Sequence, residues 1–182
     1  MKWFIFGVAI LTLGIALLFV VGRFFISEVT QEVKIIPAPE AGFSEVGRLA
    51  PLWVLSDQSG QKVKFSGFLG KPAVIIFWAT WNKDAENQFR TLDEYVAKFG
   101  EKDAIIVTMN SQEDSAAVAN FLARGGYKVR VVFDEQGAVG ELYGVRNLPT
   151  TFFVDKEGVI MGKEVRLLSL SELRDKIVIL SR

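Results

Sequence analysis

The sequence contains neither cysteine nor histidine. Without cysteine the chain has no disulfide, no thiolate nucleophile, no cysteine-ligated zinc and no bacterial lipoprotein anchor. Without histidine it lacks the side chain that most often transfers protons near neutral pH and most often binds metals. The Ser-His-Asp and Cys-His catalytic arrangements are therefore excluded, and carboxylates, Lys, Arg, Ser, Thr and Tyr are left for chemistry.

The chain also has no excess of charge, because 21 Lys and Arg residues balance 21 Asp and Glu residues among 182. Proteins that bind nucleic acid usually carry a basic face, so we predict no nucleic-acid partner. The polar residues Asn82, Asp84 and Glu86 are too few for a calcium loop and instead favour the N-terminus of a helix. We therefore expect no metal site and no cofactor.

One long hydrophobic run lies at the N-terminus, where residues 3–21 carry no charge. As a helix this run would span about 28 Å, close to the thickness of a bilayer core. A cleaved signal peptide is the alternative, but its apolar region is usually shorter and ends in a small-x-small site. We predict a transmembrane anchor at residues 1–24 and a polar linker at residues 25–48. The flanking charges leave the orientation open.

Residues 49–182 have the length of one ordinary domain. Short continuous apolar runs predict buried strands at 73–78, 104–109 and 129–133, and paired segments predict a hairpin at each end of the domain. Helical spacing of apolar residues predicts four helices between and after these strands. The expected helix starts are Asn82, Ser111 with Asp114, Ala138, and the capping-box pair Ser169 and Glu172. The order β-β-β-α-β-α-β-α-β-β-α predicts an α/β fold with a central mixed sheet and helices on both faces.

The segment Phe77-Trp78-Ala79-Thr80-Trp81, at the end of a predicted buried strand, resembles the FWATWC signature of thioredoxin-fold proteins of the TlpA/ResA type. The segments 70–72 and 145–155 resemble the GKP and VxxxPTTFxID stretches of the same family. The likeness covers most of residues 49–165 and extends to the single N-terminal anchor. It implies a thioredoxin-like fold preceded by one transmembrane helix, with the domain on the extracytoplasmic side of the membrane.

Members of that family are thiol-disulfide oxidoreductases, several of which serve cytochrome c biogenesis, and they carry Cys-x-x-Cys directly after the last Trp of the signature. Here Asn82 stands in place of the attacking cysteine and Ala85 in place of the resolving one. A carboxamide and a methyl group can neither form nor release a mixed disulfide. A nearby glutamate and proline of the family are also replaced, by Gln88 and Arg90. The resemblance therefore extends to the fold but not to the chemistry.

The position of Pro149 matches the family's cis-proline, whose loop pairs with an extended substrate segment through main-chain hydrogen bonds. A groove of that kind needs no thiol. Trp81, Leu148, Pro149 and Thr150 could therefore still bind a peptide segment. The alternative is that Pro149 only holds the turn and Trp81 only caps the helix end.

These observations predict no catalytic residue. We interpret the chain as a redox-inactive binding or scaffolding module that is anchored in the membrane and has a polypeptide partner on the extracytoplasmic side. The alternative is residual oxidoreductase or antioxidant activity linked to cytochrome c biogenesis. Without cysteine or histidine, such an activity would have to use groups such as Thr80, Asn82, Lys83 or Asp84.

Overall fold

The computed structural model describes residues 45–181. Within them the chain forms seven strands and four α-helices in the order predicted from the sequence. The strands are β1 (Val54–Asp57), β2 (Lys62–Lys64), β3 (Ala73–Trp78), β4 (Ile105–Ser111), β5 (Val131–Asp134), β6 (Thr150–Val154) and β7 (Ile160–Glu164). The helices are α1 (Ala85–Phe99), α2 (Ser115–Gly125), α3 (Ala138–Leu142) and α4 (Leu170–Leu180), and a 3-10 turn covers Phe65–Phe68.

The predicted transmembrane anchor at residues 1–24 lies outside the described residues, as does the predicted linker up to residue 44. Between residues 45 and 181, none of the helices is both long enough and apolar enough to cross a membrane. The anchor therefore stays a prediction from the sequence.

All seven strands form one sheet in the order β2-β1-β5-β4-β3-β6-β7. The three strands β3, β4 and β5 run parallel, and the remaining neighbours pair antiparallel. Trp78 lies beside Asn110 on one neighbouring strand, and Phe77 lies beside Thr150 on the other. The carboxyl ends of the parallel strands consequently meet the start of β6 at one edge of the sheet.

The two faces of the sheet carry separate hydrophobic layers because alternate side chains of β3 point in opposite directions. Val74, Ile76 and Trp78 pack with buried residues of α1, α2 and α4. Ile75 and Phe77 pack on the opposite face with α3 and the 3-10 turn. Every residue of β3 is buried, as expected for a strand in the centre of a covered sheet. This arrangement confirms the predicted mixed sheet with helices on both faces.

Two predicted helix starts are wrong. The prediction that Asn82 is the N-cap of α1 fails because the helix begins at Ala85, and the Asn82 side chain instead bonds the backbone N–H of Asp84. Ser111 ends β4 rather than opening α2. The Asp114 cap is confirmed, because its carboxylate accepts from the Ala116 N–H at 2.6 Å. The capping box of Ser169 and Glu172 before α4 is also confirmed.

Candidate functional site

The candidate site lies at the edge of the sheet where β3 and β4 end. Three connections meet there: residues 79–84 before α1, residues 112–114 before α2, and residues 147–149 before β6. The Leu148–Pro149 peptide bond is cis, as the resemblance implied. These connections contain every site residue predicted from the sequence except Thr150 and Ala85, which are the first residues of β6 and α1.

The Asn82 carboxamide joins two of these connections. Its Nδ2 donates to the carbonyl oxygen of Leu148 at 2.7 Å, and its Oδ1 accepts from the N–H of Asp84 at 2.8 Å. Because a backbone carbonyl can only accept and a backbone N–H can only donate, these two contacts determine the orientation of the amide. The side chain at the position of the family's attacking cysteine therefore holds the start of α1 against the loop that precedes β6.

The position of the resolving cysteine is buried. Ala85 is 3% exposed and packs in the same hydrophobic cluster as Trp78 and Phe89. Gln88, one turn further along α1, is 2% exposed, and its Oε1 has no hydrogen-bond partner among the described residues. The methyl group of Ala85 is therefore a packing element, and the two replacements together leave no nucleophile at the redox positions of the family.

A second contact, which the sequence reasoning missed, holds the other end of the same connection. The carboxylate of Glu113 accepts from the Thr80 N–H at 2.6 Å, from the Thr80 hydroxyl, and from Asn110 Nδ2 at 2.7 Å. A signal for it exists in the sequence, because Glu113 follows β4 and the carboxyl ends of neighbouring parallel strands meet at one edge. Thr80 and Asn82 are thus each bonded to a different loop, on either side of Trp81.

The predicted groove residues contribute in different ways. Trp81 is 71% exposed and is the large aromatic side chain presented at this edge. Leu148 is half-buried and packs against the core of the α3 face. Pro149 and Thr150 are buried, and the Thr150 hydroxyl donates to the Asn147 carbonyl at 2.6 Å. The structure therefore exposes Trp81 at the site and leaves Leu148 half-buried, with the other two residues supporting the loop.

Acidic side chains do not cluster at this edge within the part of the chain that the structure describes. Within residues 45–181, no group of three or more acidic side chains is placed to hold a metal ion. Asp84 and Glu86 flank the start of α1, where the helix dipole favours negative charge. The chemistry that this edge offers is hydrogen bonding and aromatic contact.

The sheet order, the helices on both faces and the cis-proline loop opposite the start of α1 define a thioredoxin-like protein. The model of the AhpC/TSA family matches residues 46–163. The thiol-disulfide oxidoreductase ResA of Bacillus thuringiensis subsp. konkukian (strain 97-27) is 35% identical over 117 residues, which are 64% of this chain and 68% of that protein. ResA of Bacillus subtilis (strain 168) is 31% identical over 129 residues, covering 71% and 72% of the two chains. The chain therefore belongs to the AhpC/TSA family and is similar to its ResA-type members.

Solved structures agree with this placement. A protein assigned as thiol:disulfide interchange protein DsbE from Chlorobium tepidum aligns with a TM-score of 0.70 and 27% identity, over 76% of this chain and 99% of that chain. The exposed lipoprotein thioredoxin of Streptococcus pneumoniae strain TIGR4 aligns with a TM-score of 0.65 and 26% identity, over 71% and 100%. These likenesses confirm the thioredoxin-like fold and the resemblance drawn from the sequence. The names of these proteins refer to thiol chemistry, whereas this chain has no cysteine.

Proposed function

We propose that this protein is a redox-inactive, ResA-like binding module. In this proposal residues 1–24 anchor it in a membrane, its thioredoxin-like domain lies on the extracytoplasmic side, and it binds a polypeptide through the groove formed by Trp81, Leu148, Pro149 and Thr150. The observation that carries the proposal is Asn82, which replaces the attacking cysteine and bonds the Leu148 carbonyl at 2.7 Å. Asn82 holds the loops of the site together, although the cysteines that these loops present in the family are absent.

The replacement of both cysteines argues against oxidoreductase activity. Thiol-disulfide exchange needs a thiolate to attack and a second thiol to release the mixed disulfide. Ala85 is buried in a packed cluster, and Asn82 uses both ends of its amide in hydrogen bonds to backbone groups. Neither side chain is placed or equipped to substitute for a thiol.

The exposure of Trp81 supports a binding role. An indole that is 71% exposed leaves a large apolar surface in water, and tryptophan is over-represented among the residues that dominate binding energy in interfaces. Hydrogen bonds on either side of it, at Thr80 and Asn82, hold its backbone in place before any partner arrives. Such preorganisation lowers the conformational entropy that is lost on binding.

The membrane location rests on the apolar run at residues 3–21 and on the resemblance to membrane-tethered ResA-type proteins. The same resemblance makes polypeptides of cytochrome c biogenesis the first partners to test. A domain that is displayed outside the cytoplasm, close to the membrane, would meet unfolded polypeptides as they emerge from it.

The first experiment tests for thiol chemistry. Full-length protein in detergent is added to insulin and dithiothreitol, and turbidity is followed. We expect the rate to equal that of the buffer control. A faster rate would contradict the proposed loss of redox activity.

The second experiment tests the groove. Binding of reduced, carboxymethylated α-lactalbumin, a permanently unfolded polypeptide, is measured by fluorescence anisotropy. Truncation of a central aromatic anchor costs about 2 kcal/mol, so Trp81→Ala should weaken binding about 30-fold. Ile179→Ala is the matched control, because this side chain is 70% exposed and lies at the far end of α4. Equal binding by wild type and Trp81→Ala would refute the groove.

A further inference from the structure

The backbone of Leu148 has only one free hydrogen-bonding group for a partner. In an antiparallel pair of strands, a hydrogen-bonded residue both donates its N–H and accepts at its carbonyl oxygen. The Leu148 oxygen already accepts from Asn82 Nδ2 at 2.7 Å. The N–H of Leu148 makes no hydrogen bond among residues 45–181. The donor therefore has no partner among these residues, whereas the acceptor already accepts from one donor of the protein itself.

The Asn82 carboxamide, which donates to the Leu148 oxygen, is chemically like the main-chain amide that a bound strand would bring there. A side-chain carboxamide carries the N–H donor and C=O acceptor of a peptide unit. Asn82 thus supplies to Leu148 the bond that the main-chain N–H of a bound strand would supply. In the ResA-type pattern a cysteine, which has no carboxamide, stands at this position.

We propose that Asn82 makes the groove selective for a polypeptide segment with proline opposite Leu148. This inference rests on the proposed function, since it concerns the same groove. Proline has a carbonyl to accept from the Leu148 N–H, but it has no N–H of its own. Any other residue at that place would have to bring its N–H to the second lone pair of an oxygen that already accepts from Asn82, and a donor that finds no room there would be left unsatisfied at a cost.

Two further features favour proline. The Asn82 Nδ2 already stands 2.7 Å from the Leu148 oxygen, so a second donor would have to approach that oxygen beside it. Trp81 stands next to Asn82 with its indole exposed, and aromatic side chains are the surfaces on which proline-containing extended segments dock. The partner class that fits is an extended, proline-containing polypeptide.

The test uses full-length protein in nanodiscs and fluorescent seven-residue peptides. The host peptide alternates valine and threonine, and a set of variants carries one proline at each of the five central positions, so that no register is assumed. A parallel set carries N-methylalanine, which removes the N–H without the proline ring. A satisfied hydrogen bond contributes about 1 kcal/mol, which corresponds to about fivefold in affinity.

We expect one proline position and the same N-methylalanine position to bind about fivefold more tightly than the host peptide. In Asn82→Ala the Leu148 carbonyl is free, so the host peptide should then bind at least as well as these variants. Asn82→Asp keeps the oxygen that accepts from Asp84 but cannot donate to Leu148, so it should also lose the preference. Asn87→Asp is the control for charge, because this residue is exposed on α1 and should retain the preference.

The outcomes separate this inference from the proposed function. If wild type binds the host peptide as tightly as every proline and N-methyl variant, the selectivity is refuted while the groove stands. The same holds if Asn82→Asp keeps the preference. If no peptide binds, or if Trp81→Ala binds all of them like wild type, the groove itself is refuted. Circular dichroism checks that each variant is folded. If Asn82→Ala does not fold, the result for Asn82→Asp decides whether Asn82 causes the selectivity.

Discussion

The carboxylate of Glu113 is the contact that most directly tests how the site is held. Glu113→Ala would leave three donors without their acceptor: the Thr80 N–H, the Thr80 hydroxyl and Asn110 Nδ2. A hydrogen bond to a charged acceptor contributes about 1.5–3 kcal/mol. Because Glu113 and Thr80 are only half-buried, water replaces part of what is lost. Three such bonds would total about 4.5–9 kcal/mol if all were fully buried, and because water replaces part of the loss we expect Glu113→Ala to lower the free energy of unfolding by about 3 kcal/mol.

The conservative variant Glu113→Gln should cost much less, for a reason that the structure provides. The remaining carbonyl oxygen of glutamine can still accept from the Thr80 N–H. Asn110 Nδ2 donates to the same oxygen, Oε2, as the Thr80 N–H, so that carbonyl oxygen can accept from both, and the glutamine NH2 then faces the Thr80 hydroxyl oxygen, which can accept from it. What is lost is mainly the charge of the acceptor, and we expect a cost of about 1 kcal/mol.

The assay is urea unfolding of full-length protein in detergent, followed by near-ultraviolet circular dichroism, which reports the packed aromatic side chains of the domain. Glu135→Ala removes an exposed carboxylate after the neighbouring strand β5 and should change stability by less than about 0.5 kcal/mol. The reasoning is refuted if Glu113→Ala is as mild as this control, or if the glutamine and alanine variants are equally destabilised.

Three further predictions concern the rest of the domain. The hydrogen bond from Arg166 lowers the pKa of Glu172 to about 2 from its ordinary 4.5. The stability that this carboxylate contributes is therefore present above pH 4.5 and is lost as the pH falls towards 2. Glu172→Gln should flatten that pH dependence in unfolding curves measured between these pH values. Phe89 is fully buried against three aromatic rings, and Phe89→Ala should lower the free energy of unfolding by about 4 kcal/mol in urea titrations, whereas Phe89→Leu should cost less than about half as much. The double variant with Asn82→Cys and Ala85→Cys should gain dithiothreitol-dependent insulin reduction that neither single variant shows, and activity in the wild type equal to that of the double variant would contradict the lost-thiol reasoning.

Burial and local capping explain which parts of the fold were predictable from the sequence. The run at residues 73–78 is apolar throughout, and only a strand covered on both faces accommodates such a run at that length. Asp114 and Ser169 cap helices through contacts that span two and three residues, so the sequence nearby contains both partners. The order in which the strands pair was not predicted, because periodicity does not encode it.

Contacts between distant segments explain which features of the site were not predicted from the sequence. Asn82 was expected to cap α1, because asparagine before an amphipathic run is a common N-cap. Its Nδ2 instead bonds Leu148, which lies 66 residues further along the chain, and its Oδ1 closes a turn ahead of the helix. The Glu113 contact with Thr80 spans 33 residues and was not predicted. Such pairs depend on how the strand ends meet, so a sequence indicates them only after the sheet order is known.

The difference between the two replacements follows from burial. Ala85 lies in a dry cluster, where a small apolar side chain fills the space of a thiol without a polar atom to satisfy. Asn82 is half-buried between the Leu148 carbonyl and the Asp84 N–H, two backbone groups that need partners. An apolar residue there would leave both unsatisfied within the protein, whereas one carboxamide satisfies both. Asparagine at this position therefore joins the two loops by hydrogen bonds where the family pattern has a thiol.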